Sequence, residues 1–217
     1  MSDASAGAEL SRWDDPVMPD HPDAADLPYL RSTFVPLDVL ARAHGHDPAE
    51  VRRAIADHQL PQAPYVLEDG TELVAPDYFE LAHLAGSFEA LPAWFARAYE
   101  QAAARYPEAG TADEQWENYI DGGYAVCLRT VTPAAIVAKG ELMDTIERLT
   151  ADPRPDDDDW REELTAAVDA LDALEKPFAA FDRARFGSVS RDRCITAVRE
   201  RFGLDRPSAV AVASHGR

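Results

Sequence analysis

The chain has 217 residues, of which 46% are hydrophobic, so it is long enough to bury a core in one large domain or two small ones. It carries 40 acidic residues against 21 basic ones, and the resulting formal charge of −19 repels nucleic acid and anionic membrane surfaces unless basic residues are locally clustered. Almost all of the positive charge is arginine, because Lys139 and Lys176 are the two lysines.

Cysteine content and the N-terminal sequence indicate the compartment. Cys127 and Cys194 are too few for a disulfide framework and have no metal-ligand spacing, so each is expected to be a small buried apolar residue. The first residues lack a basic start and an apolar core, and no run of about 18 apolar residues occurs anywhere. We therefore expect a cytoplasmic protein, with no metal site and no cofactor indicated.

The N-terminal part of the chain predicts a tail and a small head. Residues 1–27 are rich in Asp, Ala and Pro without apolar periodicity, which predicts a disordered acidic tail. Over residues 28–79, one short helix starts at Pro36, and a second has a capping box of Asp47 and Glu50. Two strands then flank Asp69-Gly70, a strong hairpin signal. The order helix, turn, helix, hairpin predicts a winged-helix-like head.

The remainder of the chain reads as helical. A connecting helix, open to an interruption near Pro92, is predicted over 80–108, a helical bundle over 109–206 and a flexible tail over 207–217. Within the bundle, Thr132-Pro133 predicts a helix start, and Ser190 is a candidate cap for the last helix. The fold class is therefore mainly α, with a winged-helix-like head and a C-terminal bundle.

Four ionisable residues of the bundle fall on apolar helix faces. Lys139 falls on the same predicted helix face as Ile136 and Met143. Arg191 falls on the same face as the apolar residues that follow it. If the helix that begins near residue 160 continues to 186, Asp182 and Arg185 also face inward. A buried charge without a partner costs several kcal/mol, so each of these residues needs a partner, a ligand or a route to solvent.

Two interpretations of this set stay open at the level of sequence. In the first, Asp182 pairs with Arg185 or Arg191 and clamps two helices, while Lys139 reaches solvent near the start of its helix. In the second, Lys139, Asp182, Arg185 and Arg191 line a polar pocket that binds a carboxylate or phosphate. Lys139 is then the candidate catalytic residue, as a base or an amine nucleophile.

The charge pattern also bears on nucleic-acid binding. Residues 183–206 are locally basic, which suits an acidic partner, a phosphorylated ligand or the acidic surface of the chain itself. In the head, the predicted wing carries Glu68, Asp69 and Glu72 and no basic residue, so it repels phosphates. We therefore expect no binding to nucleic acid. If the head does bind DNA, the residues that can reach a groove are Arg52, Arg53, His58 and Gln59.

Two resemblances to known families add to these predictions. The layout of the head is similar to the winged helix-turn-helix of MerR-type regulators. The segments WENYIDGGYAVCLRTVTPAAIVAK and VDALDALEKPFAAFDRARFGSVSRDRCI resemble an uncharacterised domain family of actinobacterial natural-product gene clusters. The second resemblance implies a role in specialised-metabolite biosynthesis and assigns no catalytic residue.

Three functions follow as hypotheses. The first is a biosynthetic protein, enzyme or binding protein, that holds a small anionic metabolite in the polar pocket of the bundle. The second is a gene-cluster regulator that binds DNA through the head. The third is a scaffold for a partner biosynthetic protein. Whether the chain is an enzyme is open at this point, and no membrane association is expected.

Overall fold

Helices make up most of the computed structural model, which describes residues 20–204. The mainly α prediction with a small hairpin is thereby confirmed. Residues 1–19 and 205–217, and with them most of the predicted acidic tail, Arg206 and the C-terminal tail, lie outside the described residues. Residues 20–27, by contrast, pack on the body of the protein, where Pro22 and Asp26 are buried.

The head contains three short helices and a three-stranded antiparallel sheet. Strand order is β1-β3-β2, with Val35 opposite Val74 and Tyr65 opposite Leu73. Gly70 has a φ of 81°, as the tight turn between β2 and β3 requires. The elements are α1 Leu27–Thr33, β1 Val35–Pro36, α2 Leu37–Ala43, α3 Pro48–Ala56, β2 Tyr65–Val66 and β3 Glu72–Val74.

The rest of the described chain is helical, and α8 packs between α5 and α9. Local sequence fixes several helix starts: Thr132 accepts a hydrogen bond from the amide of Ala135, and Asp157 caps the next long helix. The elements are α4 Glu80–Ala85, α5 Leu91–Ala103, α6 Ala112–Ile120, α7 Gly123–Cys127, α8 Pro133–Ala151, α9 Asp158–Leu174, α10 Ala180–Phe186, a π-helical segment Arg191–Thr196 and α11 Ala197–Phe202.

Two of the long helices predicted from the sequence are broken. The connecting helix predicted over 80–108 is two helices, because Gly86 ends α4 with a φ of 94°. The helix starting near 160 stops at Leu174, three residues before Pro177, instead of running to 186. The helical bearing assumed for Asp182 and Arg185 is therefore wrong, since both belong to the separate helix α10.

Buried clusters cross the predicted boundaries between head, connecting helix and bundle. One continuous cluster runs from Leu37 of α2 through Phe95 of α5 to Val137 of α8. Another joins Tyr65 of the sheet to Phe181 of α10. Head and bundle therefore share their apolar cores.

Within residues 20–204, no helix is both long enough and apolar enough to span a membrane.

Candidate functional site

A cavity of about 480 Å³ opens between the loop joining α6 to α7, helix α8 and helix α10. This volume lies within the range of sites that bind small molecules. Gly122 contributes to the wall in a left-handed conformation, with a φ of 76°. The lining includes Asn118, Gly122, Tyr124, Cys127, Lys139 and Arg185.

Lys139 lines this cavity and is paired with Glu175. The Lys139 Nζ is 3.0 Å from Oε1 of Glu175, with the lysine side chain 14% exposed and the glutamate fully buried. The hydroxyl of Ser190 donates to the same carboxylate oxygen. Glu175 is thus the partner that a lysine on an apolar helix face requires.

Glu175 reaches this position because α9 ends at Leu174, the residue before it. The chain after α9 runs antiparallel to residues 127–129, where Leu128 forms a bridge with Glu175. The amide of Lys176 donates to the carbonyl of Cys127 over 2.7 Å, and the amide of Arg129 donates to the carbonyl of Leu174 over 2.9 Å. This short pairing brings the end of α9 next to the end of α7.

The protonation of Lys139 and Cys127 follows from their surroundings. Burial acts to lower the pKa of Lys139, but Cys127 and Glu175 outweigh burial and raise the pKa above the ordinary 10.5. Burial raises the pKa of the Cys127 thiol, and Lys139 offsets only part of this effect. At neutral pH the cavity therefore contains a lysine cation and a neutral thiol. In this state Lys139 can donate a proton or neutralise an anion, whereas a role as base or nucleophile requires it first to lose its proton.

Arg185 provides a second cation on the rim of the cavity. Its side chain is exposed, its guanidinium lies 4.9 Å from the ring centre of Phe186, and its Nη1 donates to the carbonyl of Pro64 over 3.3 Å. Among residues 20–204, no carboxylate forms a salt bridge with Arg185. The planar guanidinium therefore keeps donors available for a ligand.

Asp182 lies outside the cavity, on the side of α10 that packs against the head. It is fully buried, and its Oδ2 accepts hydrogen bonds from the hydroxyl of Tyr65 over 3.0 Å and the amide of Ala179 over 2.8 Å. Its Oδ1 has no hydrogen-bond partner among the described residues. Burial raises the pKa of Asp182. Among the described residues Asp182 forms no salt bridge, so the first interpretation, in which it pairs with Arg185 or Arg191, is wrong.

Arg191 belongs to an ion network on the other side of Glu175. It forms a salt bridge with Asp172 and donates to the backbone carbonyl of Glu175 over 3.4 Å. Arg199 joins the same network, 2.7 Å from Asp172 and 2.8 Å from Asp169. Of the four residues selected from the sequence, Lys139 and Arg185 thus share one cavity, whereas Asp182 and Arg191 have separate structural partners.

The basic region of the bundle is largely neutralised by the chain itself. Arg183 pairs with Asp192 over 2.8 Å, and Arg193 lies 3.2 Å from Glu147. Together with the network around Asp172, these salt bridges pair much of the predicted basic patch with acidic residues of the same chain.

The head offers little free positive charge to a DNA duplex. Arg52 of α3 bridges Asp38 at 2.6 Å and Glu72 of the hairpin at 2.7 Å, so its charge is shared between two acids. Arg53 is exposed and lies 3.6 Å from Glu50. His58 is exposed and Gln59 is half-buried.

The sequence matches the model of DUF6058, a family of unknown function, from residue 91, the first of α5, to residue 203, one beyond α11. The match covers more than half of the 217 residues. The chain belongs to this family. No curated protein and no solved structure matches the chain. All residues that line the cavity lie within the matched segment, and the head lies before it.

Glu175 and Ser190 are the site residues that sequence reasoning missed. Both were hidden by the assumption of a continuous helix through 175 and of a helix cap at 190. The signal that could have revealed Glu175 is its position two residues before Pro177, where a helix is expected to stop and a buried acid needs a cation.

Proposed function

We propose that the cavity binds a small anionic molecule and that the chain acts on or carries this molecule in specialised-metabolite biosynthesis. The observation that carries the proposal is that Lys139 and Arg185, which lie 46 residues apart in the numbering of the chain, open onto the same cavity of about 480 Å³. Arginine and lysine are the residues that bind carboxylates and phosphates in proteins.

The charges around the cavity favour a monoanion. Lys139 is already paired with Glu175, and Asp121 is an exposed acid on the same rim. Arg185 therefore supplies the one cation with no carboxylate partner among the described lining residues, and a single carboxylate matches it. In this arrangement Arg185 anchors the ligand and Lys139 presents a proton or a positive charge inside the cavity.

The biosynthetic context comes from the resemblance of residues 116–139 and 168–195 to a domain family of natural-product gene clusters. Both segments contribute to the cavity or to the pairing beneath it, through Cys127, Lys139, Glu175 and Arg185. Deletion of the gene followed by metabolite profiling tests this part of the proposal. Loss of one specialised metabolite or accumulation of an acidic precursor is expected, and an unchanged profile would argue against it.

Binding itself is tested by substitution of Arg185. We expect Arg185→Leu to weaken the binding of simple carboxylic acids at least tenfold, equivalent to about 1.4 kcal/mol, as measured by calorimetry or ligand-detected NMR. Arg201→Leu is the matched control, because Arg201 is also exposed and stacks on the neighbouring ring of Phe202 at 4.8 Å but does not line the cavity. Equal binding by both variants and the unmodified chain would overturn the role of Arg185.

The role of Lys139 has to be tested with a single and a double variant, because its removal alone leaves the buried Glu175 without a cation. Lys139→Met leaves the fully buried Glu175 without its cation, which is expected to cost about 3–5 kcal/mol of unfolding free energy. The double variant Lys139→Met with Glu175→Gln removes both charges and should recover most of that loss. If the double variant is stable and still binds carboxylic acids normally, Lys139 has only a structural role.

A further inference from the structure

A second cavity, of about 270 Å³, lies against the other side of Lys139. Lys139 and Tyr124 line both cavities, so the two cavities adjoin at these side chains. The hydroxyl of Tyr124 donates to Oε1 of Gln115, which holds the ring in place at this boundary. An extended ligand that is anchored in the first cavity can therefore reach the second by passing over these two side chains.

Aromatic and aliphatic side chains form much of the wall of the second cavity. Seven of its twelve lining residues are aromatic or aliphatic, and the charged residues of the described lining are Lys139 and Glu108. Aromatic and aliphatic walls bind apolar groups, because each buried methylene group contributes about 0.8 kcal/mol. The apolar part of the wall includes Tyr99, Tyr106, Tyr124, Ile136, Val137 and Met143.

Gly140 keeps the second cavity open. It lies in the middle of α8, where glycine costs roughly 0.5–1 kcal/mol relative to alanine. A Cβ atom at this position would come within 3.4 Å of the Tyr106 ring, and the Tyr106 hydroxyl is bound to Asp144. An alanine therefore fits here in ordinary van der Waals contact, whereas a longer side chain such as leucine must move Tyr106 or occupy the cavity.

We infer that the ligand is an amphipathic monocarboxylic acid, with its carboxylate at Arg185 in the first cavity and an aromatic or aliphatic tail in the second. This inference rests on the proposed function and adds the class of ligand. The tail lies along Tyr124 and the hydrocarbon stem of Lys139, so the charged end of the lysine stays beside Glu175. Acids without a tail occupy only the first cavity.

Binding of 4-phenylbutyrate tests the inference, with butyrate and 4-phenylbutanol as probes that lack the ring or the charge. We expect 4-phenylbutyrate to bind at least about tenfold more tightly than butyrate, because burial of the ring adds apolar contact. Binding of 4-phenylbutanol should be weaker than that of 4-phenylbutyrate, because it cannot pair with Arg185.

Met143 reports on the second cavity directly. The chain has three methionines, and Met143 is the one within residues 20–204. With ¹³C-methyl methionine, its resonance, assigned through Met143→Leu, should undergo a ring-current shift on addition of 4-phenylbutyrate and remain unchanged with butyrate. This measurement uses the unmodified chain and does not depend on the folding of a cavity variant.

A filled cavity provides the matched mutational test. Gly140→Leu should lower the affinity for 4-phenylbutyrate to that for butyrate and leave butyrate binding unchanged. Ala134→Leu, which adds a leucine at an exposed position of the same helix, should alter neither.

The outcomes separate the two proposals. If butyrate and 4-phenylbutyrate bind with equal affinity and the Met143 resonance does not move, the tail site is wrong while the anion site stands. If none of the acids binds at the highest soluble concentration, the anion site is wrong and the inference falls with it. A shift of Met143 with 4-phenylbutanol alone would show an apolar site that is independent of Arg185, which also overturns the inference.

Discussion

At the scale of single residues, Glu175 organises the charges of the bundle. Its side chain accepts from Lys139 and Ser190 on one side, and its backbone carbonyl accepts from Arg191 on the other. Its Oε2 is buried with no partner among the described residues. A carboxylate in this position fixes the place of Lys139 and lies between the first cavity and the network around Asp172.

Arg191→Ala should destabilise the protein without affecting ligand binding. The change removes one partner of Asp172, but Arg199 still holds this carboxylate and both side chains of the lost pair are 20% exposed. We therefore expect a loss of about 1–3 kcal/mol in chemical denaturation, less than for a fully buried pair. A large loss of carboxylate binding at unchanged stability would place Arg191 in the ligand site after all.

Asp182 and Asp172 should respond to pH in opposite ways. Burial raises the pKa of Asp182, so its stabilising contribution is present below 3.8, its ordinary value, and is lost as the pH rises through the folded-state value. Burial also acts to raise the pKa of Asp172, but Arg199 and Arg191 outweigh it and lower the value, so its contribution is lost as the pH falls.

The pH dependence is measured with one non-titrating variant for each acid. Relative to the unmodified chain, Asp182→Asn should become more stable as the pH is raised from about 4 to 7, and Asp172→Asn should become less stable as the pH is raised through 3.8 from the acid side. Denaturant titrations at each pH provide the free energies of unfolding. Parallel curves for the Asp182→Asn variant and the unmodified chain would show that Asp182 has the same pKa in both states.

At the scale of elements, the loop between α6 and α7 ties the cavity to the head. Gly122 has a φ of 76°, and a Cβ on it would lie 2.6 Å from the carbonyl oxygen of Gln62. The amide of Gln62 in turn donates to the carbonyl of Ile120 over 2.7 Å. The close approach of these two backbones therefore needs glycine at this position.

Gly122→Ala should lower the free energy of unfolding by about 1–3 kcal/mol, because it adds both a backbone strain and a steric clash. Gly123→Ala is the matched control. Its Cβ would meet only the carbonyl of Asn118 at an ordinary 3.5 Å. Equal melting temperatures for the two variants would contradict the close packing of the loop on the head.

Helix α3 and the β2–β3 hairpin should not bind duplex DNA at physiological salt. Arg52 is held by Asp38 and Glu72, and the hairpin is acidic, so few cations remain to neutralise phosphates. A mobility-shift titration with DNA from the gene's own neighbourhood is the measurement. Sub-micromolar affinity that falls steeply with added salt would support the regulator hypothesis instead.

At the scale of the whole molecule, the head and the bundle share one buried apolar cluster. Leu37, Val51 and Leu60 of the head belong to the same buried cluster as Phe95 of α5 and Ile136 of α8. Arg185 of the cavity also contacts Pro64 of the head. The family match begins after the head, yet in this chain the head completes the packing around the matched segment.

A fragment that begins at residue 80 should therefore fail to fold by itself. Removal of the head exposes the apolar faces of α4, α5 and α7, and the lost burial is expected to exceed the net stability of a typical domain, about 5–15 kcal/mol. Circular dichroism and thermal melting provide the test. A cooperative transition in the fragment, close to that of the full chain, would show that the head is an independent domain.

The sequence by itself determined the local features of the fold. Residues that cap a helix act within three or four positions, so Thr132 marks a helix start regardless of what surrounds it. The periodicity of α8 likewise placed Lys139 on an inward face, where it lies. Asp69-Gly70 predicted the hairpin for the same reason, because the turn depends on backbone conformations that glycine permits.

Only the tertiary structure decided which charges meet. Periodicity predicts the face of a helix but neither its neighbours nor the residue at which it stops. Because α9 ends at Leu174, Asp182 lies beside Tyr65 and Arg185 lies at the cavity. For the same reason Glu175 lies beside Lys139. These contacts join segments up to 117 residues apart, and they depend on the summed burial of the core rather than on any local signal.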